Sequence, residues 1–67
     1  MANNKYKVGN LIDWVGTLGV VLEIGLDYPD NRTRRRSRFV TIHWADGDTM
    51  MYFEDQGFVY NSAEVIG

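Results

Sequence analysis

The sequence predicts an all-β domain, a small barrel of five short strands, and three observations carry that prediction. Apolar residues alternate with others over short runs: Leu18, Val20, Leu22 and Ile24 on one side, Thr17, Gly19, Val21 and Glu23 on the other. An Asp46-Gly47 pair stands between two runs rich in β-branched and aromatic residues, which is a strong hairpin signal. No stretch of the 67 residues fits a helix longer than one turn. The chain reads as one domain, 1–67, and closing the sheet hides edges that would otherwise invite pairing.

Residues 1–5 are polar and expected to be flexible. Leu11–Val15 is the first strand, after the turn signal Gly9-Asn10. Thr17–Ile24 is the clearest strand, and Gly16 and Gly19 suggest a bend, a bulge or close backbone approach at its start. Gly25–Ser37 is a long basic connection between strands two and three and holds the single proline, Pro29. Arg38–Trp44 and Thr49–Phe53 form the hairpin. With Asp46-Gly47 as a two-residue type I′ loop, Trp44 faces Thr49, His43 faces Met50, Ile42 faces Met51, Thr41 faces Tyr52 and Val40 faces Phe53. Val40, Ile42, Trp44, Met51 and Phe53 then form the core face. The opposite face carries Phe39, Thr41, His43, Met50 and Tyr52, and is apolar for a solvated side. Glu54–Gly57 interrupts the pattern and Phe58–Tyr60 resumes it. Asn61–Glu64 fits one helical turn capped by Asn61 or Ser62, and Val65-Ile66 closes the sheet.

Composition bounds the function. With no cysteine there is neither a disulfide nor a thiolate metal site. No apolar run reaches the roughly 20 residues of a membrane span, and the start lacks the core of a signal peptide. A cytoplasmic or virion location is expected. The net charge of -2 argues against wholesale coating of nucleic acid.

The layout carries a resemblance. Lys7-Val8-Gly9-Asn10-Leu11-Ile12, Gly19-Val20-Val21-Leu22-Glu23-Ile24, Val40-Thr41-Ile42-His43-Trp44-Ala45-Asp46-Gly47 and Ser62-Ala63-Glu64-Val65-Ile66 follow one another in order. This resembles the small SH3-like barrel proteins of tailed phages, marine and cyanobacterial ones in particular, over residues 7–66. More distantly it is similar to KOW and Tudor-like barrels. The resemblance implies a phage-encoded protein, either a virion part or a small modulator of host machinery, and it brings no catalytic residues.

All five arginines, Arg32, Arg34, Arg35, Arg36 and Arg38, fall within seven positions, while the rest of the chain is acidic. Guanidinium groups grip carboxylate and phosphate in bidentate fashion, so the loop is the first candidate site. The outer patch Phe39, His43, Met50 and Tyr52 is the second, since aromatics, Met and Arg are enriched in interface cores. His43 is the single histidine and has no companion for a usual metal site. Asp46 and Asp48 read as hairpin polar flanks rather than a cation site. No enzyme activity and no cofactor is expected. The favoured function is a non-enzymatic protein-binding module, its partner an acidic protein surface or a second copy. The alternative is a nucleic-acid-binding barrel acting through Arg32–Arg38, with Tyr28 and Phe39 near enough to stack on a base.

Overall fold

The computed structural model describes residues 4–28 and 35–67. Five strands, β1 (Leu11–Trp14), β2 (Thr17–Asp27), β3 (Ser37–Trp44), β4 (Thr49–Phe53) and β5 (Glu64–Val65), form one antiparallel sheet. Their order is β4-β3-β2-β1-β5. One short helix, α1 (Phe58–Ser62), stands between β4 and β5. The all-β expectation holds at this level.

β1 ends one residue earlier than expected, because Val15 and Gly16 form the tight turn into β2 with φ of 51° and 85°. Two successive positive φ values define a type I′ loop, whose twist matches that of the flanking strands. Asp13 helps close it by accepting the Gly16 N–H at 3.0 Å. A β-branched residue at positive φ is strained, and Val15 is also 88% exposed. Val15→Asn is therefore expected to stabilise the domain by about 1 kcal/mol, roughly 4–8 °C in Tm, since asparagine tolerates this conformation. A thermal melt showing no gain would remove the strain argument.

β2 runs three residues past its expected end, to Asp27, because β3 continues to pair with it down to Ser37. Its faces also differ from simple alternation. The register shifts between Val21 and Glu23, so Ile24 comes to the side of Val21 and Gly19. That side is the core. A Cβ on Gly19 would lie 2.6 Å from Ile42 Cγ2 and 2.7 Å from Trp44 Cε3, so the bare backbone is what lets Trp44 cross here. Leu18, Val20 and Leu22 are left on the exposed surface.

The β3–β4 hairpin corrects the expected register by one residue. Phe39 faces Phe53, Val40 faces Tyr52, Thr41 faces Met51, Ile42 faces Met50 and His43 faces Thr49. The loop is Ala45-Asp46-Gly47, closed by Trp44 N–H donating to Asp48 O at 2.7 Å and Gly47 N–H to Trp44 O at 2.9 Å. Gly47, at φ 102°, makes this the three-residue loop with a glycine bulge rather than type I′. Asp46 and Asp48 serve this turn, with Asp46 Oδ1 accepting the Asp48 N–H at 3.0 Å.

Phe58–Tyr60 is helical, not a strand, and Asn61 and Ser62 end the helix instead of capping its start. Asn61 Nδ2 donates back to Gly57 O at 2.7 Å, and Ser62 Oγ donates to Phe58 O. The helix delivers Tyr60 to a core of Tyr6, Ile12, Val21, Val40, Ile42, Trp44, Tyr60 and Ala63. Tyr6 and Tyr60 meet edge-on with centroids 5.0 Å apart, and Tyr6 O–H donates to Tyr60 O at 2.5 Å. The residues before β1 are tied to this core. Asn4 Nδ2 donates to Phe39 O at 3.0 Å, Asn4 Oδ1 accepts Tyr60 O–H at 2.7 Å, and Lys5 Nζ donates to Ala63 O at 2.6 Å.

Candidate functional site

The basic segment enters the sheet at Ser37. Arg32 and Arg34 lie outside the described residues. Arg35 and Arg36 are exposed just before β3, and Ser37 is buried. The Ser37 hydroxyl donates to Arg38 O at 3.2 Å and accepts the Asp55 N–H at 3.0 Å, which fixes the chain after β4 beside the start of β3. Arg38 lies opposite Leu26 in β2, and its carbonyl accepts the Glu54 N–H at 2.9 Å. Its guanidinium Nη1 reaches Glu54 Oε1 at 2.8 Å.

These residues enclose an open cleft of roughly 460 Å³ lined by Leu26, Arg35, Arg36, Ser37, Arg38, Glu54 and Asp55. Its electrostatics are mixed. Arg35 and Arg36 bring positive charge to it, and Glu54 and Asp55 bring carboxylates. Arg38 is half-buried and already paired with Glu54, a partly exposed pair worth a modest stabilisation in water. Leu26, 58% exposed, gives the cleft an apolar seat. The arginine cluster is legible from sequence, but Glu54 and Asp55 are not: they join it only because β4 returns alongside β3.

The expected outer patch is not one surface. Phe39 is buried, its ring 6.0 Å from that of Phe53, and a Cβ on Gly25 would lie 2.9 Å from it. Tyr52 sits on the core side, where its hydroxyl accepts the Trp44 Nε1–H at 2.8 Å. Met50 shares that side opposite Ile42 but is half-exposed at the sheet margin. Only His43 faces outward, with Nδ1 2.9 Å from Thr49 Oγ1.

A different apolar surface surrounds His43. Val20 lies directly opposite His43, and Leu11 directly opposite Val20. With Leu18 they line a shallow hollow of roughly 220 Å³. Leu11, Leu18 and Val20 are 37%, 45% and 40% exposed, enough to make a patch rather than isolated residues. The one sequence signal for this arrangement is Gly19, which selects the buried side of β2. Among the described residues no cluster of three or more His, Cys, Asp or Glu is placed to hold a metal ion. Nor, among them, is any helix long and apolar enough to cross a membrane.

No protein-family model matches the chain, and no curated protein or solved structure matches it.

Proposed function

We propose that the protein is a non-enzymatic protein-binding module of the SH3-like barrel class that docks an acidic segment of a partner at the Arg35–Arg36 cleft. The observation that carries this reading is that Arg35 and Arg36 line one cleft together with Glu54 and Asp55. A peptide can offer carboxylates to the guanidinium groups and backbone N–H or lysine to Asp55. A continuous polyanion laid along the same cleft meets the carboxylates as well. The negative body adds long-range repulsion of the same sign.

A barrel-like curl of the sheet, with β4 and β5 left as its two edges, is part of the proposal. It is supported by β5 returning to β1 and by α1 bringing Tyr60 against Tyr6. The resemblance to tailed-phage proteins supports a virion accessory component or a modulator of host machinery, acting in the particle or the host cytoplasm.

A nucleic-acid-binding barrel is the second reading, favoured by one observation. Tyr28, 52% exposed, leads into the basic segment, where a base could stack on its ring.

The test is fluorescence anisotropy of a labelled Asp/Glu-rich peptide against the wild type and an Arg35→Ala/Arg36→Ala variant. The variant is expected to lose at least about tenfold in affinity, the loss of charge-assisted contact in this cleft. Equal binding by both proteins would refute the cleft as the docking site.

A further inference from the structure

We propose that the Thr49–Met51 edge of β4 pairs antiparallel with the same edge of a second copy, joining two sheets across a twofold axis. The surface is distinct from the basic cleft.

β4 is the last strand of the sheet and has a neighbour on one side only. Two hydrogen bonds fix which residues turn their backbone toward β3. Trp44 N–H donates to Asp48 O at 2.7 Å, and Glu54 N–H donates to Arg38 O at 2.9 Å. By the alternation of an antiparallel ladder, Met50 and Tyr52 also face β3, while Thr49, Met51 and Phe53 face away. The outward Phe53 carbonyl accepts the Gln56 N–H at 3.3 Å, and the chain folds back over that end. The outward N–H and C=O of Thr49 and Met51 have no strand beside them among the described residues.

This edge lacks the usual protections. Thr49–Phe53 contains no Lys, no Pro and no charge, and its pairing with β3 has no bulge. Met50 and Met51 are 50% and 44% exposed on opposite sides of it. Methionine is a residue enriched in interface cores.

The occupant that fits is this chain itself. A twofold axis beside Met50 sets Thr49 opposite Met51 of the second copy, and each outward N–H meets an outward C=O. Asp48 then falls opposite Tyr52, not opposite an acid. The fold-back at Gln56 and Gly57 of the second copy comes opposite the end of the hairpin at Gly47, where space is open on the Gly47 Cβ side. A longer strand from another protein would run into the fold-back beyond Phe53.

Sedimentation velocity up to millimolar concentration, combined with amide hydrogen exchange, tests the pairing. The wild type is expected to dimerise reversibly, with the Thr49 and Met51 amides slowing as concentration rises. The Met50 and Tyr52 amides are expected to be protected already in the monomer. Met51→Lys and Thr49→Pro, both acceptable on an edge, are expected to weaken association at least about tenfold without changing circular dichroism. Arg35→Ala/Arg36→Ala is expected to dimerise like the wild type, which separates this edge from the cleft. A wild type that stays monomeric would overturn the proposal. So would edge variants that still dimerise, or a dimer in which the Thr49 and Met51 amides exchange as in the monomer.

Discussion

Gly57→Ala is expected to cost about 3 kcal/mol or more, through overpacking against atoms that have no room to move. The added Cβ would lie 2.1 Å from Phe53 O and 2.6 Å from Tyr60 Cβ. One obstacle is backbone and the other is the root of a buried side chain, so neither can swing aside. The fold-back from β4 must open, and α1 must withdraw Tyr60 from the core. A domain of 67 residues has a total stability of about 3–10 kcal/mol, so much of the population would unfold. Gly47→Ala is the matched control. Gly47 has φ 102° and open space around its Cβ, so only backbone strain is added, about 1–2 kcal/mol. Urea titrations followed by tryptophan fluorescence would compare the two. Equal costs would show that the approach of Gly57 to Phe53 does not hold α1 in place.

The second large effect is alkaline. Tyr6 is fully buried, and burial, reinforced by the charge of Tyr60, pushes its hydroxyl up to about 12 from 10.0. Burial also raises Tyr60. A phenol whose folded value exceeds its unfolded value keeps its proton in the folded state after the unfolded chain has lost it. Stability from Tyr6 is therefore complete below pH 10 and falls as pH rises from 10 to 12, by about 2–3 kcal/mol. Tyr6→Phe removes the titration and also the bond to Tyr60 O, at a cost of about 1–2 kcal/mol at neutral pH. The variant is expected to start less stable but to lose less between pH 10 and 12, with Tyr60 supplying the remaining slope. Parallel alkaline losses in both proteins would assign the effect elsewhere.

The strand pattern was legible because it is local. Alternation, turn glycines and the Asp46-Gly47 pair placed the four longer strands within a few residues. Faces were less legible because they depend on single insertions. A two-residue and a three-residue loop both accept Asp-Gly, yet the extra residue moves Tyr52 to the core side and Met51 to the other. The bulge after Val21 reverses β2 in the same way, and only Gly19 hints at which side carries the ring of Trp44. Phe58–Tyr60 has strand-forming residues, but the fold-back at Gly57 and the side-chain bonds of Asn61 and Ser62 favour a helical turn. At the candidate site the arginines were visible and their setting was not. Ser37 and Asp55, like Arg38 and Glu54, meet through the β3–β4 pairing rather than through sequence proximity.

The most direct test of the protein-binding account is a side-by-side salt titration by fluorescence anisotropy. The wild type and Arg35→Ala/Arg36→Ala would be offered the acidic peptide, single-stranded and duplex DNA, and RNA. Peptide binding that the variant loses is expected, with no oligonucleotide binding at physiological salt. Oligonucleotide binding with a log-log salt slope of about -3 to -4.5, abolished in the variant, would contradict it and make the loop a phosphate-binding site.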